Sequence, residues 1–171
     1  MRVLGIDPGN VRSAAVALNG SRVEQTFYEP NHAMCNIIPV IIQKGLVDVV
    51  ACEMIASYGM PVSRTVFDTC VWIGTFRQIA EQELVPCYLV TRMVCKMQIC
   101  HDSRAKDANI RQALIDAYPP TGGGKTPQIG TKAQPGPLYG MKGDLWAALA
   151  VATTFRDLGE DCAYDLSGVD Q

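Results

Sequence analysis

Three carboxylates stand where apolar sequence stops or starts: Asp7 closes "VLGID", Glu53 comes at the end of "VDVVACEM", and Asp144 opens "DLWAALAVA". Hard divalent cations of the magnesium type take oxygen ligands, and a pair of them can clamp the attacking and leaving oxygens of a phosphoryl displacement. Three or four converging acids are what that chemistry needs. Each acid alone also has a plainer reading. Asp144 suits a helix N-terminus through the macrodipole, and Glu53 is compatible with a lone charge at a strand end. Their joint occurrence, each beside buried sequence, is what points to a site.

The elements that must position these acids follow from periodicity. Strand alternation puts Val3 and Gly5 on the face of Asp7, and Pro8 and Gly9 force a turn directly after it. "SAAVALNG" and "RVEQTFYE" predict two further strands joined at Asn19-Gly20, a strong hairpin signal. "NIIPVIIQKGL" predicts a helix interrupted near Pro39 and stopped at Gly45. "VDVVACEM" has the nearly continuous apolar run of a central strand, and "VPCYLVT" predicts another.

Between those two strands, "VSRTVFDTCVWIGTFRQIAEQE" carries Val62, Val66, Cys70, Ile73, Phe76, Ile79 and Ala80 at helical spacing, with Ser63 as its N-cap. Trp72 falls outside that stripe. "RMVCKMQIC" begins a short helix, and "SRAKDANIRQALIDAYPP" is a helix with Ala108, Ile110, Ala113, Leu114 and Ala117 inward, ended by Pro119-Pro120. Thr121 to Gly140 has no periodicity, as in a functional or disordered loop. "GDLWAALAVATTFRDLG" is an apolar helix from about Asp144 to Gly159. Three strands, then helices and strands in alternation, then further helices define an α/β domain over residues 1–159, with a peripheral tail over 160–171.

With 171 residues, 48% of them hydrophobic, the chain has the material for one cored domain. No charged N-terminal region precedes a long apolar run, so a cytoplasmic location is expected. Seven cysteines without a C-x-x-C pair read as reduced thiols, and Cys95, Cys100 and His101 lack the fourth ligand of a structural zinc site. The formal net charge of −2 argues against a general polyanion binder. The distribution differs: from Arg92 to Lys142 eight basic residues face three acids, an excess of five (8 − 3). That excess means a polyanion partner only if the fold gathers it beside the acids.

"VLGIDPGN", "VDVVACEMI", "CYLVTRMVCKMQICHDSRAKDANIRQAL" and "GDLWAALAVA" together resemble the successive motifs of RuvC-type Holliday junction resolvases of the RNase H-like superfamily, most like their phage-encoded or divergent members. The resemblance spans most of Met1 to Phe155. It implies an RNase H-like mixed five-stranded sheet, three antiparallel strands followed by parallel ones, flanked by helices. It also implies a homodimer, with its interface expected on the Val62 to Glu83 helix, and paired cutting of four-way or branched DNA with two Mg2+ or Mn2+ ions per site. One ion would activate a water and the other would stabilise the departing 3′ oxygen.

By position, Asp7, Glu53 and Asp144 match the family's metal ligands, with Asp7 bridging both ions. Lys106 matches a DNA-contacting lysine, and Arg92, Lys96, Arg104, Lys125 and Lys132 would follow the backbone. Two departures stand out. Where the family carries a fourth ligand this chain has Met141, so a water or another acid such as Asp107 substitutes, or Lys142 touches the scissile phosphate. Where the family carries a base-stacking aromatic this chain has Ala56, leaving Tyr58 as the nearest ring.

Other readings are weaker. "TGGGKT" lacks the first glycine of a phosphate loop, since Pro119 stands there, and a helix precedes it. Asp7-Pro8-Gly9 also resembles the phosphate-binding start of actin-like kinases, which need two such domains. The serious alternative is an RNase H-like protein that binds branched nucleic acid or a protein partner without cutting.

Overall fold

In the computed structural model, residues 1–56, 59 and 62–164 are described. Strands β1 (Arg2–Asp7), β2 (Arg12–Asn19), β3 (Arg22–Pro30), β4 (Val49–Met54) and β5 (Cys87–Thr91) form one sheet in the order β3-β2-β1-β4-β5. The first three pair antiparallel; β4 lies parallel to β1 and β5 parallel to β4. Helices α1 (Asn31–Gln43), α2 (Arg64–Gln82), α3 (Arg92–Cys100), α4 (Asp107–Asp116) and α5 (Leu145–Leu158) flank it. The mixed α/β sheet expected from the sequence is therefore present.

Period-two alternation divides the core into two layers. Leu4, Ile6, Ala15, Ala17, Val50 and Cys52 pack against α1 and α2. Val3, Val16, Ala51 and Val90 pack on the opposite side with α3, α4 and the almost wholly buried α5. Gly5 belongs to this second face. A Cβ there would lie 2.3 Å from the Ala148 carbonyl oxygen and 2.7 Å from the Ala152 Cβ. Only a missing side chain lets α5 lie this close to β1.

Several sequence expectations need correction. Helix α1 begins at Asn31 and runs through Pro39 without interruption. Met34, Ile38, Ile41 and Ile42 continue one buried stripe across the proline, and burying them offsets the hydrogen bond Pro39 cannot make. On α2 the buried stripe is Thr69, Ile73, Phe76 and Ala80, while Cys70 is exposed; Ser63 bonds the Thr65 hydroxyl at 2.7 Å and makes no side-chain cap to the backbone. On α4 the inward residues are Ile110, Leu114 and Ile115; Ala108 and Ala117 face outward, because the larger side chains gain more by burial.

The 121–140 segment is neither helical nor featureless. Backbone bonds from Gly122 to Pro127, Gly123 to Gln134 and Gly136 to Ile129 fold it on itself, and Leu138 anchors it in the core. Beyond Gly159 the chain still packs: Cys162 is buried, and the Tyr164 amide donates to the Leu89 carbonyl at 2.6 Å. The peripheral character expected from residue 160 therefore does not hold up to Tyr164, because a buried thiol and a backbone bond to β5 tie it down.

Candidate active site

In the parallel ladder Ile6 stands opposite Cys52, so Asp7 and Glu53 leave adjacent strands side by side on the face that carries α5. The carboxyl ends of parallel strands are where ligands collect in sheets of this kind. Asp144 occupies the N-cap position of α5, which packs across β1. All three acids line one cavity of about 350 Å3, together with Arg92, Asp107 and Trp146. Asp144 is thus at the site because Gly5 permits the crossing.

The turn after Asp7 is held from within. The buried Ser13 hydroxyl donates to Asn31 Oδ1 at 2.7 Å, and Asn31 Nδ2 donates to the Gly9 carbonyl at 2.9 Å. The Gly9 amide in turn donates to Ser13 Oγ at 3.3 Å. A buried polar network of this kind is costly unless satisfied, and here it fixes the backbone that aims Asp7.

Charge is undercompensated at the centre. Burial, with Glu53, Asp144 and Asp107 adding repulsion against the opposing pull of Arg92, pushes the Asp7 carboxyl up from 3.8 to about 7. Burial also raises Glu53, against the lowering effect of Arg92. Arg92 Nη1 donates to Glu53 at 3.4 Å and Nη2 donates to Asp107 at 2.5 Å. Its own pKa is raised: burial opposes the charge, but Glu53 and Asp107 outweigh it.

A divalent ion fits this donor set in kind: the ligands are carboxylate oxygens, and Asp7 carries a charge its surroundings resist. Among the described residues no three acids, histidines or cysteines already converge on one point, so the carboxylates surround the cavity without closing on its centre. Asp7, Glu53 and Asp144 are the residues that would hold the ion.

The remaining sequence candidates are distributed more widely. Lys142 is exposed at a neighbouring hollow shared with Asp144 and Tyr28. Met141 is buried in the core, so its position supplies nothing to the cavity. Asp107, by contrast, stands in the cavity as an additional acid. Arg92 points into the acids rather than along an open path. Lys106 is exposed at the start of α4, where its backbone amide donates to Asn109 Oδ1 at 2.9 Å. Arg104 is exposed beside Asp102, Lys96 is half-buried on α3, and Lys132 is exposed in the 121–140 loop. Lys125 faces a separate cleft with Arg111. Tyr58 lies outside the described residues.

Sequence reasoning missed Tyr28, an exposed ring at the end of β3 with the Arg12 guanidinium 4.7 Å from its centroid. The signal was its alternation in "RVEQTFYE", which puts its face in common with Thr26 and Glu24.

No family model and no curated protein matches the chain. Solved structures do. A Thermus thermophilus RuvC structure superposes with a TM-score of 0.64 at 20% identity, covering 97% of this chain and 100% of that one. T. thermophilus RuvC in complex with a Holliday junction substrate gives 0.62 at 16% identity, covering 93% and 96%. Over nearly its whole length, then, the chain has the RNase H-like fold of these RuvC structures.

Proposed function

We propose that the protein is a divalent-metal-dependent endonuclease that cuts four-way or branched DNA junctions in pairs of strands. The observation carrying this reading is that Asp7, Glu53 and Asp144, from two parallel strand ends and a helix start, line one cavity of a RuvC-like fold. When bound at these acids, Mg2+ or Mn2+ supplies an activated water and charge stabilisation for phosphodiester hydrolysis. Asp7 must be ionised to serve as ligand, so its proton leaves as the cation enters. Lys142, exposed beside Asp144, contacts the phosphate to be cut, and Lys106 and Arg104 hold the backbone alongside. Arg92 neutralises Glu53 and Asp107 until a cation takes over that charge.

Paired cutting calls for two sites. Phe67 and Val71 on α2 are 63% and 67% exposed, beside the exposed Val62, and form an apolar face suited to a second copy of the chain. One binding experiment examines both points. In EDTA, with cutting blocked, a labelled four-way junction is expected to bind at least ~10-fold tighter than linear duplex of the same sequence, as specific binding exceeds non-specific binding by larger factors elsewhere. Sedimentation of the complex should give two chains per junction. Equal affinity for duplex, or one chain per junction, contradicts the proposal.

A second reading, binding without cutting, is favoured by one feature: Met141 is buried where a fourth ligand would stand.

A further inference from the structure

Between α4 and the 121–140 loop lies a cleft of about 500 Å3 that the acids do not share. Arg111 from α4 and Lys125 from the loop both line it, with Ile115 and Ile129 among the apolar residues of the lining. The guanidinium of Arg111 sits 5.2 Å from the centroid of the Trp146 ring. Trp146 also lines the acid cavity, so Arg111, which lines the cleft, reaches a residue of that cavity through its ring.

This stacking orients Arg111 without neutralising it. Among the described residues, neither Arg111 nor Lys125 has a carboxylate within ion-pairing distance. The one acid lining the cleft, Asp116, accepts a hydrogen bond from Gln112 Nε2 at 2.8 Å. Two cations against one acid leave the cleft positive in a chain of net charge −2. The wall is also preformed: a Cβ at Gly130 would lie 2.2 Å from the Gly136 amide nitrogen, so this turn of the loop is closed tightly.

We infer that this cleft is a second anion site, which takes a backbone phosphate of the DNA strand that continues past the acid cavity. Arg111 provides the fork of N–H donors and Lys125 a point charge, while Ile115 and Ile129 offer an apolar bed for the adjoining deoxyribose. The inference rests on DNA occupying the acid cavity. It adds a held phosphate at Arg111, next to the Trp146 wall of the cavity where the strand is cut.

The test is the salt dependence of DNA binding in EDTA, for junction and linear duplex, with the wild type, the Arg111→Gln/Lys125→Gln double variant and Lys44→Gln. Lys44 is an exposed cation just after α1, on the other side of the sheet. The double variant is expected to lose affinity roughly 10-fold or more, a charge-assisted bond's worth. Its slope of log K against log salt should fall by about 0.9, for one phosphate no longer neutralised. Lys44→Gln should change neither.

An equal loss on duplex and junction by a protein without junction preference would sustain the phosphate site while defeating the junction-cutting reading. An unchanged slope and affinity in a protein that does cut junctions would overturn the inference alone. A matching loss in Lys44→Gln, or no DNA binding by the wild type, overturns it too. So would inorganic phosphate raising the melting temperature of the wild type but not of the double variant while DNA binding stays unmoved, since the cleft would then serve a small anion.

Discussion

Asp7→Asn is expected to abolish metal-dependent cutting, by a factor of at least ~10^3, and to make the metal-free protein more stable at pH 8. On the proposed function the first effect follows from removing a ligand of a cation that would contribute several kcal/mol to the transition state, at about 1.4 kcal/mol per factor of ten. The second follows from linkage. The Asp7 carboxyl titrates at about 7 in the folded protein, against an ordinary 3.8. A raised acid binds its proton more tightly when folded, so its contribution is fully present below about pH 4 and is lost as pH rises through about 7.

Above pH 7 the folded protein carries the whole cost of the buried charge, on the order of 4 kcal/mol for a shift of this size. Asparagine has no such charge. Thermal melting in EDTA should show the variant several degrees above wild type at pH 8, with the two converging near pH 4. Added Mn2+ should raise the wild-type midpoint more at pH 8 than at pH 6, and leave the variant where it is. A wild type more stable than the variant at pH 8 without metal would contradict the electrostatic description of Asp7.

Gly5→Val should be the most damaging single substitution outside the acids. Strand propensity favours valine over glycine by up to ~1 kcal/mol, so a strand considered alone would gain. The contact geometry has the opposite sign. The new Cβ would meet the Ala148 carbonyl and the Ala152 Cβ and nitrogen, all within 2.7 Å, and these belong to a helix that cannot yield locally. Overpacking of this kind costs ~1–3 kcal/mol in ordinary cores and more where backbone is struck. Melting should fall by ten degrees or more, or the protein should fail to fold, with Gly5→Ala intermediate. Any folded Gly5→Ala should cut poorly, since α5 carries Asp144 and would be displaced from β1. A Gly5→Val protein melting at or above wild type would refute the close packing of α5 on β1.

The effect of Gly5 shows what the sequence could and could not disclose. Asp7, Glu53 and Asp144 were legible because each abuts an apolar run whose period assigns it to a strand end or a helix start. The antiparallel start and parallel remainder of the sheet were legible from the Asn19-Gly20 hairpin followed by alternating strands and helices. That Gly5 sets the distance between two of the acids was not, because the helix that needs the space lies more than 140 residues further along the chain.

The Ser13–Asn31–Gly9 network was equally hidden, since it joins residues from three segments by bonds that have no periodicity. Pro39 misled for a related reason. Local chemistry predicted a break, and the burial of Ile38, Ile41 and Ile42 on one stripe decided otherwise. The loop at 121–140 offered no pattern at all. Its form comes from glycine-permitted close approaches and from Leu138, which a sequence without periodicity does not announce.

The central claim is that the acid cavity cuts DNA. The direct measurement is to map, at single-nucleotide resolution, the products from a four-way junction labelled in turn on each strand, with Mg2+ or Mn2+ and with Asp7→Asn alongside. Two nicks at symmetric positions in opposing strands near the crossover, absent in Asp7→Asn, are the expected result. Tight junction binding with no metal-dependent nick in any strand would contradict it: the acids would then be a vestige held closed by Arg92, and the protein a junction-binding module.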